Sequence, residues 1–209
     1  MVGPRIRRMA VLLGVVTLLG LGGTPVLAHG GHASGLGAPV DPSTLIPEPP
    51  PGAECWSVGK ATVQCKTFKD FDFDAEPVFD VACGTVYETS RDHRDGLRWY
   101  VNGLAEKRFV HGFMTGTWSL SPSGGGKVVK ISNDWVSWST WETPGDDDTV
   151  LETSVGLQFR ATAPGLGNAI LQKGTVYPDG STRGIKNGID DDGNLTPRAI
   201  DALSKVLCP

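Results

Sequence analysis

The chain has 209 residues, 39% apolar and 20% charged, with 28 Gly, 15 Pro, 4 Cys and a formal net charge of −4. That charge is too ordinary for a nucleic-acid arm, and the apolar share is too high for a wholly disordered chain. The length allows one domain with appendages, or two small domains.

Met1 to Ala28 reads as a secretory signal peptide. Arg5, Arg7 and Arg8 precede an apolar run from Met9 to Leu21, and Val26 and Ala28 suit the small pockets of a signal peptidase. The run is shorter than the roughly 20 residues that cross a bilayer, and no later segment is long and apolar enough to do so. Arg7-Arg8 is a weak twin-arginine candidate, since Met9-Ala10 follows in place of an aromatic. A secreted protein without a membrane span is expected. The signal carries three Arg and no acid, so its removal leaves 16 basic and 23 acidic residues, a net −7. Such a protein is not expected to bind nucleic acid.

His29 to Ala53 reads as a disordered linker. Eleven of its 25 residues are Gly or Pro, and it has no aromatic. Ordering it would cost about 1–2 kcal/mol per residue with little apolar surface to offset that. A cut after Ala28 would expose His29 as the new terminus, followed by Gly30-Gly31-His32. A terminal amine and imidazole can chelate copper(II), with His32 as a third donor. On His29 and the signal alone, the start resembles secreted copper-dependent polysaccharide monooxygenases. Those hold the terminal His against the fold, whereas a Gly/Pro tract follows it here. No metal and no other cofactor is therefore the expectation.

Glu54 to Pro209 holds all 16 aromatics and all four cysteines in 156 residues, enough for one real core. Its pattern predicts an all-β antiparallel meander, a barrel or sandwich of about seven to nine strands. Val78 to Thr89 reads as one strand. Leu97, Trp99 and Val101 alternate up to the hairpin signal Asn102-Gly103. Arg108 to Leu120, Lys127 to Trp141, Thr149 to Thr162, Ala169 to Tyr177 and Ser181 to Ile189 follow, separated by turn residues. One short C-terminal helix is predicted, with Thr196 as its cap, Pro197 at its first position, and Ile200, Leu203 and Leu207 on one face.

Four cysteines in an exported chain imply two disulfides, with three possible pairings. Cys55 and Cys65 flank a segment with Gly59-Lys60 at its centre and could close a small hairpin, which leaves Cys83 with Cys208. Val81-Ala82-Cys83-Gly84, then Gly174 to Gly180, then the closing Leu207-Cys208 resemble a group of small exported actinobacterial proteins. The resemblance covers about Val78 to Cys208. It implies an all-β meander and the Cys83–Cys208 pair, and it supplies no catalytic residue.

The tryptophans are the main candidates for a ligand surface. Trp135, Trp138 and Trp141 share one predicted strand, with Trp138 on the opposite face from the other two. Trp99 and Trp118 lie on neighbouring strands. Such rings could stack on an apolar, glycan or protein partner, although a β domain also needs large side chains to fill its core. Asp70, Asp72 and Asp74 alternate with Phe71 and Phe73, which reads as a solvated strand face. Asp190 to Gly193 fails as a calcium loop, because Gly188 and Ala199 stand where acids belong. His93, in the charged loop Arg91 to Asp95, and His111 could serve a hydrolase beside a neighbouring acid. No Gly-x-Ser-x-Gly elbow, zincin motif or phosphate loop is present. A non-enzymatic binding module is the first reading, and an exported enzyme using His29 with copper, or His93, is the alternative.

Overall fold

The computed structural model describes residues 37–209. Met1 to Ala28, read from the sequence as a signal peptide, and His29 and His32 lie outside the described residues. Eight antiparallel strands form one sheet in strict sequence order. They are β1 (Glu54–Ser57), β2 (Thr62–Val81), β3 (Gly84–Val101), β4 (Leu104–Ser119), β5 (Val128–Trp141), β6 (Val150–Ala163), β7 (Gly167–Val176) and β8 (Thr182–Asn187), followed by helix α1 (Pro197–Leu207). The sheet is not closed. The all-β meander with one C-terminal helix is as the sequence predicts.

The turns explain the strand boundaries. Asn102 and Gly103 both have positive φ, 53° and 82°, so β3 reverses tightly into β4. Such a two-residue turn matches the twist of the flanking strands. Val78 to Thr89 is not one strand: a turn at Ala82-Cys83 divides β2 from β3. Cys83 sits in that turn and is bonded to Cys208, just beyond α1. The other disulfide joins Cys55 to Cys65, which face each other directly across β1 and β2. Arg91 to Asp95 is not a loop either. It continues β3 unbroken, because each of its residues finds a partner on both β2 and β4.

The sheet curls around its helix. α1 packs against β2, β5 and β7. Five strand spacings separate β2 from β7, about 24 Å if the sheet were flat, whereas a helix is only about 10–12 Å thick. One face is therefore concave. At one end it holds the larger apolar cluster, in which Phe79, Val86, Met114, Trp118, Ile131, Phe159 and Ile170 surround Ala199, Leu203 and Leu207 of α1. Thr196 caps the helix by accepting from the Ala199 N–H, as its sequence suggests. Part of the bend runs through glycines. Gly156, Gly174 and Gly184 are in register across β6, β7 and β8, with φ of +132°, +142° and +149°. A Cβ at Gly174 would sit 2.8 Å from the Gly184 Cα, so the backbones approach too closely there for any side chain.

A second apolar cluster of Leu45, Cys55, Cys65, Tyr100, Ala105 and Trp141 fills the other end. Leu45 corrects the linker expectation. Residues 37–53 lie along the domain instead of hanging free: Pro39 bridges to Trp56 and Ile46 to Leu104. The Tyr100 hydroxyl also donates to the Pro47 carbonyl at 3.0 Å. The composition argument missed this because one buried leucine and a few borrowed β-sheet hydrogen bonds suffice to order a Pro-rich strap. Burial raises the Tyr100 phenol above its ordinary value.

Candidate functional site

The tryptophans divide between core and surface. Trp118 is core: its ring meets Phe79 edge-on at 4.9 Å, and its Nε1 donates to buried Glu88 at 3.0 Å. Trp141 is also buried, and donates from Nε1 to Asp147 at 3.0 Å. These two are therefore not ligand surface, because filling the two ends of a curled sheet uses the largest side chains available. Trp99 and Trp135 are half-buried. Trp138 is 50% exposed, the most open of the five. The expected split of faces holds: Trp135 and Trp141 share the concave face and Trp138 projects from the convex one.

Trp138 does not stand alone on the convex face. Its ring lies 5.8 Å from that of Phe109, its partner across β4. Phe113 is 43% exposed and Phe68 is 53% exposed on the same face. Between them runs a polar row that the register assembles from four strands. Asp70 of β2 opposes His93 of β3, Asp95 opposes His111 of β4, and Phe113 opposes Asp134 of β5. His93 Nδ1 is 2.5 Å from Asp70, its Nε2 is 3.3 Å from Asp95, and its ring packs on Phe113 at 5.0 Å. His111 Nε2 is 3.1 Å from Asp134. Asp72 and Asp74 pair with Arg91 of β3 at 3.1 and 3.0 Å. This edge carries paired charges, not a bare row of repelling carboxylates.

The His93 ring nitrogens face Asp70 and Asp95, and neither bonds a hydroxyl among the described residues. Both cysteine pairs are bridged, so no free thiol is available. Two clefts lie elsewhere. One, of about 340 Å³, runs between α1 and the β7–β8 end, and the other lies among β6, β7 and β8. Neither is lined by His93 or His111.

The Asp70 hydrogen bond raises the His93 pKa above its ordinary value. Desolvation partly opposes that, and the Asp95 contact adds to it. A raised value stabilises the folded state below the unfolded midpoint of about 6.5, and that stability is lost as pH rises through the folded midpoint. NMR titration should therefore place the His93 midpoint above that of an unfolded-peptide reference, and Asp70→Asn should lower it. A midpoint at the reference value would contradict the contact.

Several residues of these faces carried no sequence signal. Phe68, Phe109 and Phe113 become surface neighbours only through cross-strand register. On the concave side, Arg94 stacks on Phe71 at 4.8 Å and faces Trp135 at 5.9 Å, while Lys69 sits over Phe71 at 4.4 Å. No protein-family model matches the chain, and no curated protein or solved structure matches it significantly. Two disulfides fit an extracellular setting. No helix among the described residues is long and apolar enough to cross a membrane.

Proposed function

We propose that this is a secreted, non-enzymatic binding module that takes a glycan on its convex face. The observation that carries the reading is the half-exposed Trp138, set beside Phe109 on an open sheet face with carboxylates and imidazoles in reach. Sugar rings present apolar C–H faces that stack on an indole, and hydroxyls that hydrogen-bond to Asp and His. A broad open sheet face suits a chain polymer more than a small molecule. The basic, apolar, small-residue pattern of Met1 to Ala28 supports export, as does the resemblance to small exported actinobacterial proteins.

Affinity electrophoresis through gels containing soluble polysaccharides tests this. At least one polysaccharide should retard the protein, and Trp138→Ala should weaken that retardation about tenfold, the loss of one stacking contact near 1.4 kcal/mol. The ring is half in solvent, so the unfolding midpoint should barely move. Retardation by none of them, or retardation unchanged in Trp138→Ala, would remove the convex face as the site. Retention by a protein ligand with the same Trp138 dependence would replace the glycan by a protein partner.

A further inference from the structure

Between its two apolar clusters the concave face carries a polar waist that the chain leaves unfinished. The register sets it out in rows. Lys69, Arg94, Gly112, Trp135 and Gly156 lie side by side across β2 to β6. The next row on one side holds Asp92 and Asn133, and the rows on the other side hold Ser137, then Arg98, Arg108 and Glu152.

Three observations set the waist apart. The first is polar satisfaction. Six buried side-chain polar atoms of the described residues have no hydrogen-bond partner, and four of them belong here: Asp92 Oδ1, Arg108 Nε, Asn133 Oδ1 and Ser137 Oγ. Asp92 is 5% exposed and Ser137 is 1% exposed, so these are desolvated groups and not surface ones. Native interiors leave few such groups, and each calls for a reason.

The second is charge. Lys69, Arg94, Arg98 and Arg108 face only Asp92 and Glu152 here, although the described residues as a whole carry 16 basic and 23 acidic side chains. Arg94 pairs with Asp92 at 2.7 Å, and Arg108 pairs with Glu152. That leaves Lys69 and Arg98 without a carboxylate among the described residues. The waist is a net cationic stratum inside an acidic protein.

The third is a stacking floor. The indole of Trp135 covers Gly112, with three ring atoms 2.6–3.2 Å from where a Cβ would stand. One side of the ring is thus spent on the sheet, and Trp135 is still only half-buried. Solvent reaches this row: the Arg94 side chain keeps 36% exposure, and Phe73, one row beyond Asp92 on β2, is 37% exposed.

We propose that the waist binds a small hydroxylated carboxylate, with the chemistry of a sugar acid. The ligand carboxylate would lie on Lys69 and Arg94, as planar guanidinium and ammonium groups favour. The apolar face of its ring would stack on Trp135. Its hydroxyls, which both donate and accept, would supply what Asp92 and Asn133 lack. A purely apolar guest would leave those groups unpaired, and a neutral sugar would leave Lys69 without a counter-charge. The inference is independent of the glycan reading of the convex face, because the two sites share no side chain.

The test uses glucuronate as the probe and the full exported chain, followed by tryptophan fluorescence and amide chemical shifts. Glucose, acetate and the variants Lys69→Gln, Arg94→Gln and Trp138→Ala serve as comparisons. Saturable binding of glucuronate is expected, with shifts centred on Trp135 and Arg94. Glucose and acetate should each bind at least about tenfold more weakly. Lys69→Gln should weaken glucuronate by about tenfold while the unfolding midpoint stays put, since Lys69 is exposed and bonds no carboxylate. Arg94→Gln should weaken it further, with its folding checked separately because it releases Asp92. No saturable binding, equal binding of glucose, or binding indifferent to Lys69→Gln would overturn the proposal. Binding lost in Trp138→Ala but kept in Lys69→Gln would overturn it too, by placing the acid on the convex face.

Discussion

Replacing Cys83 and Cys208 together by serine is expected to lower stability by about 4–5 kcal/mol, the largest effect of any conservative change in this domain. The bond spans a sequence separation of 125, so its loss returns a very large loop to the unfolded ensemble. It also ties the β2–β3 turn to the end of α1, which buries Ala199, Leu203 and Leu207 in the main core. Urea unfolding with the variant and the parent, both under non-reducing conditions, checks this. The midpoint should fall strongly and the transition should stay single. The Cys55–Cys65 bridge has a separation of only 10 and joins residues already paired across two strands. Its removal should cost less, because loop-closure entropy grows with loop length. Equal losses from the two bridges would show that native-state packing, not loop entropy, sets their value.

Leu203→Ala is the second large effect, expected at about 2–5 kcal/mol. Leu203 is fully buried. Its side chain fills the space that the curled sheet leaves at one end, so truncation removes transfer energy and opens a cavity in surroundings that can collapse only partly. Asp201→Ala, on the exposed side of the same helix, should change stability by less than about 0.5 kcal/mol. In the Cys83→Ser/Cys208→Ser background the cost of Leu203→Ala should shrink, since both changes loosen the same helix and neighbouring effects do not add. Chemical unfolding of the four chains closes this cycle. Full additivity would mean that α1 stays docked without its bond.

The strand content was legible because alternation and turn chemistry are local. Asn102-Gly103 marked a reversal, and Thr196-Pro197 marked a helix start, from residue type alone. The split of Trp138 from Trp135 and Trp141 followed from a period of two. What the sequence hid was non-local. Arg91 to Asp95 looks like a charged loop until Asp70 and Asp72 on β2 arrive opposite His93 and Arg91 and neutralise them. Composition gave no hint that Leu45 would anchor residues 37–53, because the pocket it fills is built from β1 to β5. The waist was invisible for the same reason. Lys69, Arg94 and Trp135 are ordinary residues far apart in the chain, and only the register puts them in one row.

The strictly sequential strand order has a consequence for a chain made from its N-terminus onward. Each strand pairs with the one just delivered, so the sheet can grow hairpin by hairpin without waiting for distant segments. The concave face has no such luxury. Its main apolar cluster is covered by α1, which follows all eight strands, and bonded there through Cys208. Until those final residues arrive, Phe79, Val86, Met114 and Ile131 face water on an assembled but unsealed sheet. The interval between strand completion and helix docking is therefore when the chain is most exposed to aggregation and to proteases, and when a folding factor would have most to protect.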